Sequence, residues 1–170
     1  MSRDKRTGRI AVCAVTCALA IAVSVLESLI PIQAVIPLPG IKLGFANIVI
    51  LFLLYRYGTA EAVTVAVIKC LTVNLIFFSV TALVFSLTGA LFSIVFAIIL
   101  KYTLSEKLSF VGISVVCAAA HNAGQTAAAC LMLGSAAPLS YLPVLLASSA
   151  VTGSVTGFIL LLIDKRLKKI

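Results

Sequence analysis

Four ionisable side chains stand inside long apolar runs of this sequence: Glu27, Lys42, Lys69 and His121. Four amides, Asn47, Asn74, Asn122 and Gln125, stand in the same runs. In hydrocarbon such groups are costly, about 3 kcal/mol for a Lys midway along a spanning helix, and they mark ligand or ion sites. Two ammonium groups, one carboxylate, an imidazole and four amides can hold a small polar ligand that carries an anionic part. They do not make a catalytic set. No Ser or Cys nucleophile stands beside His121 in a glycine-framed turn. No glycine-rich phosphate loop ends in Lys and Ser/Thr. The two Asp residues, Asp4 and Asp164, lie at opposite ends of the chain and form no paired-Asp motif. The reading is of a binding protein and not an enzyme, with no cofactor and no metal.

Positioning these groups requires elements that suit lipid. The chain has 170 residues, 62% apolar and 11% charged, with no Trp. Soluble domains are about half apolar and about a quarter charged. There is too little polar surface here for a water-facing globule, and the composition excludes disorder and a soluble nucleic-acid binder. A single all-α integral membrane domain over residues 1–170 remains. At roughly 20 apolar residues per crossing, the pattern predicts six spans at about 9–30, 43–57, 60–79, 83–102, 110–133 and 140–163. The first is too long for a cleaved signal peptide. Pro31, Pro37, Pro39 and Gly40 break the chain into an outer loop at about 31–41. Gly58 and Thr59 form a turn with Thr59 as helix cap. The uncharged run from Cys70 to Leu100 is cut at Ser79–Thr81. Gly134, Ser135, Pro138 and Ser140 supply the last break.

The charges support the count. Of the 13 Lys and Arg residues, all but Lys42 and Lys69 fall on one side of a six-span arrangement. By the positive-inside rule that side is cytoplasmic and holds both termini. The formal net charge of +8 is therefore read as topological and not as a nucleic-acid surface.

This topology assigns depths. Glu27 lies near the outer end of the first span, and Lys42 and Asn47 lie in the outer part of the second. Lys69 sits near mid-depth, with Asn74 about 7 Å further out at 1.5 Å per residue. His121 is near the middle of the fifth span, with Asn122 beside it and Gln125 one turn on, on the face His121 occupies. The polar groups thus share the outer half, as an outward-opening pocket requires. Several also have a structural alternative. Glu27 can pair with Lys42 or Lys69, Lys42 can snorkel to headgroups, His121 can be a packing residue, and Asn47 and Asn74 can bond between helices.

Small residues repeat every four positions, as Ala14, Ala18 and Ala22 in the first span and as Gly153 and Gly157 in the last. Such stripes let helix backbones approach in lipid. The glycines fit packing within the chain; the alanines fit either that or docking to another membrane subunit. The five cysteines show no metal spacing and read as small apolar packing residues.

Several segments resemble one family. They are Leu26-Glu27 with Pro31; Pro39-Gly40-Ile41-Lys42-Leu43-Gly44-Phe45-Ala46-Asn47; Phe85-Ser86-Leu87 with Gly89; Gly112-Ile113-Ser114; His121-Asn122-Ala123-Gly124-Gln125; Tyr141-Leu142-Pro143; and Thr152-Gly153. Together they resemble the Gx transporter family, also labelled heptaprenyl diphosphate synthase component I, which is similar to the S components of energy-coupling factor (ECF) vitamin transporters. The resemblance implies a six-helix S component in the cell membrane that captures a small molecule from outside. It implies a transmembrane T subunit and two cytosolic ATPase subunits as partners, docking on Ala14, Ala18 and Ala22, and a lid formed by the 31–41 loop. A flavin or similar vitamin-derived compound is the expected ligand. The chain departs from the family pattern at Lys69, where Arg is expected, and at Asn74, where Gly is expected. The first change keeps the charge and loses bidentate recognition. The family's label implies the rival reading, a non-catalytic membrane scaffold in prenyl diphosphate or quinone synthesis.

Overall fold

The computed structural model describes residues 3–30, 44–104 and 108–167. Among them are six helices and no strand: α1 Arg3–Ser28, α2 Asn47–Arg56, α3 Thr59–Ile76, α4 Val80–Thr103, α5 Phe110–Leu133 and α6 Leu142–Leu167. A 3-10 turn, Ala137–Tyr141, leads into α6. The stretches Thr7–Ser28, Thr59–Ile76, Val80–Thr103 and Ala137–Arg166 are long and apolar enough to cross a membrane. α5 matches α4 in length, and His121, Asn122 and Gln125 keep it out of that set. α2 is apolar but has only 10 residues.

Local sequence explains most boundaries. Ser109 caps α5 by accepting from Gly112 N at 3.2 Å, and Gly134 ends it in the left-handed region. Helix 2 begins at Asn47 and not at 43, because Gly44 adopts φ +86° and turns the chain first. Thr59 is the first residue of α3 and not its cap; Gly58 occupies that position, at φ +131°. The break between α3 and α4 falls at 77–79, where Phe78 takes φ +49° and Ser79 caps α4 by accepting from Ala82 N.

The bundle is turned inside out relative to a soluble protein. On α4, Leu91, Phe92, Val95, Phe96 and Ile99 are exposed while Ser86 and Ser93 are buried. On α6, Val151, Val155, Phe158 and Leu162 are exposed while Ser149, Thr152 and Thr156 are buried. Apolar residues at helical spacing on the outer surface suit lipid as solvent. With the family finding below, this makes the chain a membrane protein.

Contacts between helices fix their directions. Arg9 near the start of α1 bonds to Tyr57 O and Glu61 at the α2–α3 turn, whereas Glu27 near its end bonds to Gly44 and Phe45 ahead of α2. α2 therefore runs against α1. Lys101 at the end of α4 reaches Leu54 O at the end of α2. α6 runs against α5, since Gly153 packs on Val115 and Gly157 on Val111. There a Cβ would come within 2.5 Å of a backbone Cα, so the two glycines set how closely α5 and α6 approach.

α2 is the shortest helix and the central one: it touches all five others. Its 10 residues rise about 15 Å, half the hydrocarbon thickness. The backbone groups at its ends have no partner within the helix. Charged side chains serve them. Glu27 accepts from the N–H groups of Gly44 and Phe45 ahead of its N-terminus. At its C-terminal end Arg9 donates to Tyr57 O at 3.0 Å and Lys101 donates to Leu54 O at 2.6 Å. Acid at the N-terminal end and base at the C-terminal end is the arrangement the helix dipole favours. Two of the basic residues read as topological markers thus also hold the central helix.

Candidate functional site

The polar groups gather on the far side of α2 from Arg9 and Lys101. A small cavity there is bordered by Ser24 and Glu27 of α1, Gly44, Lys69, Cys70, Val73 and Asn74 of α3, Ser86 of α4 and His121 of α5. Its volume is about 10 Å³, room for about one water. Four of the residues chosen from sequence, Glu27, Lys69, Asn74 and His121, meet at this one space. Gln125 joins through His121, its Nε2 lying 3.1 Å from the ring Nε2. In that contact the amide donates when the ring proton is on Nδ1. Asn47 adjoins at Gly44, where a Cβ would stand 3.1 Å from Asn47 Nδ2 and 3.3 Å from His121 Cδ2.

Lys69 is the unusual member. Its side chain is 6% exposed, and among the described residues no hydrogen bond or ion pair reaches its ammonium. Glu27 is 4% exposed, borders the same cavity, and gives its carboxylate to the α2 backbone instead. A buried cation without a counter-charge is destabilising by several kcal/mol unless something compensates it. Nearby groups are also incompletely used. Asn74 Nδ2 donates to Cys70 O at 2.7 Å, while Asn74 Oδ1, Asn47 Nδ2 and Gln125 Oε1 have no partner among the described residues. Buried polar atoms left this way call for a water, an ion or a ligand. The donor set is one ammonium, amides and an imidazole.

Asn122 is not part of this cluster. It points to α6, where Nδ2 donates to Leu145 O at 2.9 Å, so it links two helices. Lys42 and the 31–41 loop lie outside the described residues. Ala14, Ala18 and Ala22 are all exposed, on the side of α1 away from the bundle. Cys17, Cys70 and Cys117 are buried at packing positions, and Cys70 Sγ lies 3.5 Å from Ser86 O at the α3–α4 crossing.

Sequence reasoning missed Gly44 and Gly89. Gly44 supplies both the turn and an N–H for Glu27. Gly89 gives His121 its place, since a Cβ there would lie 2.8 Å from His121 Cε1 and 2.9 Å from Gln125 Cγ. Both glycines stand inside the motif segments already noted, which was the available signal. Ser86 stands in the same segment as Gly89, while Ser24 carried no signal beyond being a small polar residue in an apolar helix.

Residues 16–163 match the family model described as heptaprenyl diphosphate synthase component I. No curated protein and no solved structure matches the chain. The matched segment includes the second half of α1, all of α2 to α5, most of α6 and every residue of the polar cavity, and the chain belongs to the heptaprenyl diphosphate synthase component I family.

Proposed function

We propose that this protein is the substrate-binding S component of an ECF-type transporter, embedded in the cell membrane with both termini cytoplasmic. It captures a small anionic, vitamin-like compound, a flavin or flavin relative being the first candidate. The observation that carries this reading is Lys69: a buried ammonium, unpaired among the described residues, facing a polar cavity walled by α1, α3, α4 and α5. Lys69 neutralises the anionic part of the ligand, and Asn47, Asn74, His121 and Gln125 fix its orientation. The chain crosses the membrane six times, the short α2 and the segment before it making the second crossing, and the energy comes from a T subunit and two ATPase subunits.

Small-molecule sites usually occupy about 300–1,000 Å³, so the 10 Å³ cavity is a closed form of the site. Entry requires one wall to move. Among the described residues α1 contacts only α2 and α3, which makes it the wall with least to lose. Its departure breaks the Glu27 contact with Gly44 and Phe45.

The test is mass spectrometry of small molecules retained by the purified protein, with its absorption spectrum as a direct check for flavin. Retention of an anionic compound that Lys69→Gln abolishes supports the reading. The family's description favours a second one, a non-catalytic scaffold for a prenyl diphosphate synthase. No retained or added small molecule, together with copurification of such a synthase, would replace the first reading with the second.

A further inference from the structure

On the flank of α2 that faces away from the polar cavity runs a separate apolar furrow of about 370 Å³. α2 forms its floor with Val49 and Phe52, α1 one wall with Leu19 and Val23, and α6 the other with Ile159 and Ile163. α1 and α6 do not touch each other among the described residues, so the furrow stays open along its length. Past Phe52 it adjoins a second pocket of about 240 Å³, which Phe52 also borders, together with Arg56 and Asp164. Arg56 is exposed there, and Lys165 and Arg166 follow in the last turn of α6. From Phe45 to Arg56 this path is about 16 Å long at 1.5 Å per residue. It is apolar for most of that length and predominantly basic at one end.

We propose that the furrow is a binding site for an anionic phospholipid. One acyl chain lies along α2 between α1 and α6, and the phosphate lies against Arg56. One observation selects this occupant: the charge is at one end only, as an amphiphile requires. The site is also distinct from the alanine stripe. On a wheel of 100° per residue, the furrow residues Thr16, Leu19 and Val23 centre about 130° round α1 from the centre of the alanine stripe. Arg56 shares the pocket with the carboxylate of Asp164, so the head-group preference rests on Arg56 and on the exposed Lys165 and Arg166 that follow Asp164 in α6.

The absence of Trp in this chain makes the test clean. Ile159→Trp in the full-length protein places a single indole in the furrow, and Val95→Trp places one on the lipid-facing side of α4 as a control. Both are reconstituted in phosphatidylcholine vesicles containing a low fraction of phosphatidylglycerol brominated on its acyl chains. The proposal expects quenching at 159 to exceed that at 95 by about fivefold, the scale of one basic residue at an anionic surface. Arg56→Gln should remove the excess, and brominated phosphatidylcholine should show none. Equal quenching at both positions, or the same excess with either lipid, means ordinary boundary lipid and overturns the proposal. Little quenching at 159 in either lipid means that protein covers the furrow and overturns it too. If Ile159→Trp does not fold, Leu19→Trp on the opposite wall gives the same readout.

Discussion

The Glu27 carboxylate accepts hydrogen bonds from the backbone N–H groups of Gly44 and Phe45, so the acid of the polar cavity holds the start of the central helix, and among the described residues it forms no ion pair with Lys69. Glu27→Gln keeps an acceptor and loses the charge. It should cost about 1 kcal/mol, the scale of a charge at a helix N-terminus. Glu27→Ala leaves both N–H groups unsatisfied in a dry environment and should cost about 2–4 kcal/mol. Thermal unfolding in detergent checks the order. Equal losses for the two variants would sink the capping role.

Lys69 should behave in the opposite way. With no hydrogen bond or ion pair to its ammonium among the described residues, its replacement by an apolar group removes a desolvation cost that is several kcal/mol for a buried ion. Lys69→Met is therefore expected to raise the unfolding temperature of ligand-free protein while lowering affinity for an anionic ligand at least tenfold. The pairing of these effects is the signature of a site held at the expense of stability. A Lys69→Met protein that is less stable than the parent would show that the ammonium has a structural partner.

The sequence made the six helices legible because their signals are local. The expected span 110–133 coincides with α5, since a Ser before it and a Gly after it are strong start and stop residues. The cut between α3 and α4 came out a few residues late. The run from 70 to 88 holds no Pro or Gly, and nothing in it announces that Phe78 takes a left-handed φ. Within the site, Lys69, Asn74, His121 and Gln125 were legible because charge and amides are conspicuous in lipid-facing sequence. The role of Glu27 was not, because its partners are backbone N–H groups, which every residue but Pro has. Asn122 lies apart from the cavity because consecutive helical residues point about 100° apart. It faces α6 while His121 faces α4.

Two glycine substitutions should separate site from scaffold. Gly89→Ala pushes a methyl group to within 3 Å of His121 and Gln125, whose side chains can shift. Its main effect should be on ligand affinity, with a modest loss of stability of about 1 kcal/mol. Gly153→Ala meets the Val115 backbone at 2.5 Å, which cannot shift without separating α5 from α6. It should cost about 3 kcal/mol, the upper range for overpacking, with ligand affinity per folded molecule unchanged. Unfolding curves and binding isotherms on both variants check the separation. A larger binding loss for Gly153→Ala than for Gly89→Ala would contradict it.

Ala14, Ala18 and Ala22 supply the last test, because they are exposed where the bundle needs nothing from them. The inward face of α1 is formed by Cys17, Ala20, Ser24 and Glu27, and the alanine stripe lies well round the helix from it. Ala14→Leu or Ala18→Leu therefore adds apolar bulk towards lipid and should change stability by no more than about 0.5 kcal/mol, as for surface positions in general. Ala20→Leu, at a fully buried position, should cost about 1–3 kcal/mol by overpacking and serves as the contrast. If the stripe is where a T subunit packs, a Leu holds the partner helix away from the close approach that small residues allow. Both stripe variants should then lose copurification with coexpressed T and ATPase subunits while keeping the retained ligand. Loss of ligand and partner together would instead mean that α1 has moved as a whole. Copurification unchanged by either substitution would place the partner on another face.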